Sequence, residues 1–90
     1  MKWARENNTA VISGGASGIG LEIGKRLLAL KMNLAIIDVN ISEDAKKTLN
    51  EASDSENKIL IHQGDVKNIE ELENFYSLVK QQFGNVHYLM

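Results

Sequence analysis

Ser13-Gly14-Gly15-Ala16-Ser17-Gly18-Ile19-Gly20 lies between a short apolar run, Thr9-Ala10-Val11-Ile12, and an amphipathic segment that starts at Ile19. The apolar run is partly β-branched and is stopped by two glycines, the pattern of a buried parallel strand. Downstream, Ile19, Ile23, Leu27 and Leu30 recur at three- and four-residue steps with Glu22, Lys25 and Arg26 between them, so a helix is expected to run to near Asn33. A strand that feeds through glycines into a helix presents unpaired N–H groups and the positive end of the helix dipole, which together favour a phosphate.

The pattern repeats along the chain. Leu34-Ala35-Ile36-Ile37, ended by Asp38, reads as a second strand buried on both faces. Ser42-Glu43-Asp44 supplies a cap and two acids for a polar, peripheral helix through Ala45 and Leu49 that frays into Ser53 to Asn57. Ile59-Leu60-Ile61 is the third strand. After the Gly64-Asp65 turn, Asn68 caps a third helix, with Glu71 expected to reach back as in a capping box. Its apolar stripe is Ile69, Leu72, Phe75 or Tyr76, Val79 and Phe83, and Gly84 is expected to close it in the left-handed helical conformation. Val86-His87-Tyr88-Leu89-Met90 begins a fourth strand. Alternating strands and helices imply right-handed crossovers and a parallel sheet, an α/β, Rossmann-type fold of order β-α-β-α-β-α-β that is incomplete.

Ninety residues form one small domain, which buries about two-thirds of the surface its unfolded chain exposes. Hydrophobic residues make up 43% and charged residues 24%, values that disfavour disorder and membrane spans. A net charge of −2 with no basic cluster disfavours nucleic acid as a partner. Cys is absent, which removes disulfides, thiolate metal sites and a cysteine nucleophile, and suits a reducing compartment. Met1 to Asn8 has no apolar stretch of signal-peptide length, so the cytoplasm is the expected location.

Spacing separates the phosphate loops that glycine builds. A Walker A loop needs four residues between its glycine and Gly-Lys-Ser/Thr. Here only Leu21, Glu22 and Ile23 separate Gly20 from Gly24, and Arg26 follows Lys25. G-x-G-x-x-G fails because Ile23 stands three places after Gly20. The spacing present is G-x-x-x-G-x-G, over Gly14, Gly18 and Gly20. Such a cluster also builds tight, well-packed turns that bind nothing, and an acid at a strand end is commonly just solvated. The two features reinforce each other, because Asp38 falls 18 positions beyond Gly20, near the offset at which a carboxylate accepts hydrogen bonds from an adenosine ribose. A 2′-phosphate beside Asp38 would be repelled by about 4 kcal/mol at 4 Å and an effective dielectric of 20. Neither Ser17 nor Val39 offers a compensating cation, and only Lys25 or Arg26 would have to reach round. NAD is therefore expected over NADP.

Ser13 to Gly20 resembles the T-G-x-x-x-G-I-G cofactor motif of the short-chain dehydrogenase/reductase family, with Ser13 in place of Thr. Gly64-Asp65-Val66 resembles that family's G-D-V segment, and Gly84 before an apolar strand resembles the approach to its N-N-A-G motif. The resemblance spans Thr9 to Met90. It implies that Ser13, Gly14, Ser17, Gly18, Ile19 and Gly20 surround the cofactor's phosphates and nearby ribose, and that Asp38 binds the adenosine ribose. It further implies that Asp65 accepts from the adenine amino group, with the Val66 backbone close to the ring.

The family's catalytic Ser, Tyr and Lys would lie beyond Met90, so no catalytic residue is assigned. The expectation is the N-terminal portion, residues 1–90, of a single NAD(P)-binding domain without its catalytic half. In complete form it would transfer hydride between NAD(H) and an alcohol or carbonyl substrate. The alternative is a non-catalytic NAD-binding or dimerising module made as a short product, an awkward one physically, since its fourth strand would expose unpaired backbone and apolar surface and such a chain should aggregate, swap or form a homo-oligomer. Tyr76-Ser77-Leu78-Val79-Lys80 spells Y-x-x-x-K, but on the helix before the fourth strand, whereas the family's pair lies after it. His62 and His87 are isolated and read as structural, not as metal ligands. Trp3 and Arg5 receive no role.

Overall fold

The computed structural model describes residues 5–55 and 58–90. Trp3 and the end of the fraying segment, residues 56 and 57, lie outside these. Strand and helix alternate: β1 (Thr9–Ser13), α1 (Gly18–Ala29), β2 (Asn33–Asp38), α2 (Glu43–Ala52), β3 (Ile59–Gln63), α3 (Ile69–Phe83) and β4 (Tyr88–Leu89). All pairings are parallel, in the order β3-β2-β1-β4. This is the incomplete Rossmann-type α/β sheet that the apolar runs predict.

Side-chain alternation on the central strands divides the core into two layers. Ala10, Ile12, Leu34 and Ile36 face α1 and α2, where they meet Leu27, Leu28 and Leu49. Val11, Ala35 and Ile37 face the other way, onto Phe75 and Val79 of α3. Right-handed crossovers explain the division: β1, β2 and β3 step in one direction, putting α1 and α2 on one face. The return to β4 on the far side of β1 puts α3 on the other. With helices on both faces, β2 tolerates no polar residue between Leu34 and Ile37, and all four are buried. Although α2 is largely polar, it still sends a fully buried Leu49 into the core.

Three element ends differ from expectation. α1 stops at Ala29, not near Asn33, because the chain closes in a Schellman motif: Lys31 N–H donates to Leu28 O (2.9 Å) and Met32 N–H to Leu27 O (3.1 Å). Lys31 takes the left-handed conformation there (φ 65°), and Met32 is fully buried. Leu30 thereby leaves the helical stripe and is exposed, as is Ile19, and the buried face consists of Gly24, Leu27 and Leu28. On α3, Ile69 is likewise exposed and Phe75 and Val79 carry the contact. Gly84 has the positive φ expected of it (85°), but its ψ of −89° lies outside the left-handed helical region. β4 is only two residues long, although ladder bonds from His87 N–H to Thr9 O (2.9 Å) and Met90 N–H to Val11 O (2.8 Å) extend the pairing.

A side chain in the left-handed region carries a penalty that glycine escapes, of about 1 kcal/mol. Lys31→Gly is therefore expected to raise the urea midpoint with an unchanged m-value. Its ion pair with Asp54 (3.9 Å, both side chains at least half exposed) is too weak to reverse that sign.

Candidate functional site

At the end of β1 the chain must leave the sheet and enter α1 within a few residues. Gly14 (φ 72°) and Gly18 (φ 55°) take conformations that L side chains rarely adopt, and a Cβ on either would meet no atom within 4 Å. The space in front of both is open. Gly20 is required for a different reason: a Cβ there would run into the Gly14 carbonyl oxygen and lie 3.1 Å from Gly15 Cα. The turn is also latched to its neighbours. Gly14 N–H donates to Ile37 O of β2 (2.9 Å), and Ser13 N–H donates to Met90 O (3.0 Å).

The three helix N-termini are not equivalent. Ser42 Oγ caps α2 by accepting from Ala45 N–H, and Asn68 Oδ1 caps α3 by accepting from Glu71 N–H; each of these helices also has two acids in its first turn. α1 has neither. Its N-cap, Ser17, makes no side-chain capping bond, and its first turn contains no acid. Its leading N–H groups and the positive end of its dipole thus lack a side-chain cap or acid among the described residues, the electrostatic setting that favours an anion.

Asp38 joins this turn to the next strand end. Its Oδ2 accepts from Ala16 N–H (3.1 Å), its Oδ1 from Asn40 N–H (3.4 Å), and its carbonyl from Gly64 N–H (2.9 Å). Beyond Gly64, Asp65 Oδ1 accepts from Lys67 N–H (2.9 Å), folding Asp65-Val66-Lys67 into an Asx turn. Glu71 does not complete a capping box on Asn68. Its Oε2 reaches farther back and accepts from Asp65 N–H (2.6 Å), because Asn68 N–H is already bonded to Asp65 O (3.0 Å).

These strand ends border an open cleft of about 440 Å³ whose lining includes Ser13, Gly14, Asp38, Asp65, Val66 and Lys67. Five of the sequence-predicted residues are thus brought together. Ser17, Gly18, Ile19 and Gly20 do not line the cleft; they form the start of α1 next to it, with Ile19 80% exposed. Sequence reading missed Lys67, which is the one cation in the lining among the described residues. Lys25 and Arg26 instead pair with Glu22 on the exposed face of α1 (3.5 and 3.7 Å). Lys67 was detectable only through the Asx turn, which curls the chain back two residues after Asp65.

Tyr76 and Lys80 border a separate surface hollow on α3 with Leu72 and Glu73, and neither lines the cleft. The Tyr76 ring packs edge-on against Phe75 at 5.6 Å. His62 also packs on Phe75 (5.7 Å), and His87 Nδ1 accepts from Thr9 N–H (3.0 Å) at the amino end of β1. No group of three metal-ligating side chains occurs among the described residues. Nor is any described helix long and apolar enough to cross a membrane.

A parallel sheet in the order β3-β2-β1-β4, with a glycine turn after its central β1, defines the Rossmann class of nucleotide-binding domain. Within that class, the chain belongs to the short chain dehydrogenase family, whose model matches residues 8–90. It is 34% identical over 84 residues to the uncharacterised oxidoreductase DltE of Bacillus subtilis, covering 93% of this chain and 31% of that protein. It is 28% identical over 85 residues to an uncharacterised oxidoreductase of Saccharomyces cerevisiae, covering 94% and 26% respectively. Among solved structures, a short-chain dehydrogenase/reductase of the glucose/ribitol dehydrogenase type from Brucella melitensis superposes with a TM-score of 0.82 at 26% identity, over 99% of this chain and 37% of that one. The chain thus spans about a third or less of the length of the curated relatives it matches. The family binds nicotinamide dinucleotides.

Gly20→Ala is expected to push α1 off the Gly14 carbonyl and to destabilise the domain by about 1–3 kcal/mol, the range for overpacking a close contact. Urea denaturation reads the cost, and amide shift changes centred on residues 13–20 in an NMR spectrum locate it.

Proposed function

We propose that this chain is the NAD(H)-binding portion of an oxidoreductase that, in complete form, transfers hydride between NAD(H) and a small alcohol or carbonyl substrate. The observation that carries the reading is a cleft at the carboxyl ends of three parallel strands, lined by Gly14 and two carboxylates, at the turn that leads into an uncapped helix N-terminus. The open space before Gly14 and Gly18 and the unmatched N–H groups of α1 fit a pyrophosphate. In this reading Ser13, Gly14, Ser17, Gly18, Ile19 and Gly20 surround the phosphates and the adjoining ribose.

Asp38 accepts from the adenosine ribose hydroxyls, already oriented by Ala16 N–H. Asp65, with Oδ1 committed to Lys67 N–H, uses its other oxygen for the adenine amino group, and the Val66 backbone lies beside the ring. The bound cofactor supplies hydride chemistry; the residues of this chain bind and orient it. No residue of this chain is assigned to proton transfer, and Tyr76 and Lys80 border a different surface. The Cys-free sequence suits work in the reducing cytoplasm.

Asp38 favours NAD over NADP by charge repulsion, while Lys67 in the same cleft opposes that preference. Removing the carboxylate is therefore expected to separate the two cofactors. By isothermal titration, Asp38→Ala weakens NAD about tenfold, the worth of one charge-assisted hydrogen bond, and leaves NADP unchanged or tighter. Equal losses for both would reduce Asp38 to a holder of the glycine turn.

A second reading, a non-catalytic module that pairs with itself, draws on the free edge of β4. There, at the edge of the described sheet, Val86, Leu89 and Met90 are 40%, 66% and 42% exposed. It expects concentration-dependent association in sedimentation velocity that Leu89→Lys abolishes without loss of NAD affinity. A monomeric wild-type chain at high concentration would remove this reading.

A further inference from the structure

The mouth of the cleft holds one ion-dipole contact that the cofactor motifs leave unused. Glu71 stands in the first turn of α3, outside the cleft lining, yet its Oε2 accepts from the N–H of Asp65 at 2.6 Å. A carboxylate that takes a backbone N–H at this length makes a strong, charge-assisted bond. The Glu71 backbone is fixed at the same time, because its own N–H donates to Asn68 Oδ1 at 3.2 Å. Gly64 closes the arrangement from behind: a Cβ on it would lie 3.2 Å from Glu71 Oε2 and 3.1 Å from the His62 ring. The Glu71 carboxylate is thus held on one side by its helix and on the other by the strand end.

From this geometry we infer that Glu71 is a positioning residue for the adenine end of the cofactor site, acting through the Asp65-Val66 turn. The inference rests on the proposal that Asp65 and Val66 face adenine. The Asx turn spends Asp65 Oδ1 on Lys67 N–H, so only Oδ2 is available to accept from a ligand. Val66 N–H has no acceptor among the described residues and is the neighbouring donor. An acceptor next to a donor matches the amino group and N1 of adenine, but only while their relative placement is held. Asp65-Val66-Lys67 is exposed and contributes nothing to either core layer. Backbone bonds fasten Gly64 N–H to Asp38 O and Asn68 N–H to Asp65 O. What fixes the peptide plane that enters Asp65, between those two bonds, is the Glu71 carboxylate.

The test uses two dinucleotides. Nicotinamide hypoxanthine dinucleotide carries an oxo group in place of the adenine amino group and a protonated N1, so it mismatches both Asp65 and Val66. Its affinity gains nothing from an ordered turn. Glu71→Ala is expected to weaken NAD by about tenfold and the hypoxanthine analogue by less than about twofold, while Glu71→Gln, which keeps an acceptor oxygen, recovers most of the NAD affinity. An equal loss for the two dinucleotides would make Glu71 a general stabiliser of the fold and overturn the inference. So would unchanged NAD binding in both Glu71 variants when Asp65→Ala does weaken NAD. Asp65→Ala as tight as wild type would instead remove the adenine reading itself, and this inference with it. If Glu71→Ala fails to fold, Glu71→Asp, one methylene too short to reach Asp65 N–H, takes its place: a larger loss for NAD than for the hypoxanthine analogue supports the inference, and equal losses overturn it.

Discussion

The contact between Gly20 and the Gly14 carbonyl sets the geometry of the whole domain. No Cβ fits between them, so the first turn of α1 sits directly on the end of β1. That closeness brings Gly24 against Leu34 and lets Leu27 and Leu28 reach the sheet, which gives β2 its cover on one side. It also sets the uncapped start of α1 against the end of β1. A single steric condition therefore serves both packing and site, and the glycine turn belongs as much to the hydrophobic core as to the cleft.

The two ends of the sheet manage their polar groups in opposite ways. At the amino end the protein satisfies them itself: Asn33 Nδ2 donates to Asn7 O and Thr9 Oγ1, and Lys58 Nζ donates to Lys31 O and Asn7 Oδ1. At the carboxyl end the strands finish in glycines and acids, the α1 N-terminus has no side-chain cap among the described residues, and the cleft is open. Parallel strands with helical crossovers force this asymmetry, because each strand's carboxyl end must feed a turn into a helix N-terminus. Two of the three such turns are capped by their own side chains. The third has no side-chain cap, and it lies at the point where the strand order reverses.

Asp38 links the pieces that would otherwise be independent loops. Its carboxylate reaches back to Ala16 in the glycine turn and its carbonyl reaches sideways to Gly64, so one residue ties the ends of three strands together. The side chain proposed to bind the ribose is therefore also the one that holds the turn. At the neighbouring strand end, where the exposed turn takes no part in either core layer, Glu71 adds a charge-assisted hydrogen bond to Asp65 N–H beside the turn's backbone and Asx bonds.

Residue order alone determined what depends on local pattern. The four apolar runs, the glycine spacing, the caps at Ser42 and Asn68, and the acid ending β2 are each written in a few consecutive residues, and right-handed crossovers between parallel strands follow from chirality, whereas the order β3-β2-β1-β4 belongs to the tertiary structure. Tertiary structure decided what depends on partners far along the chain. α1 ends at Ala29 because Met32 has a place to be buried, which no window of helix-forming residues reveals. Ile19, Leu30 and Ile69 fit their apolar stripes yet face outward, since only the sheet determines which side of a stripe meets it. Lys67 enters the cleft and Glu71 holds Asp65 because an Asx turn and a reach of six residues bring them there. Both are side-chain choices among competing donors and acceptors, settled only once the backbone has folded.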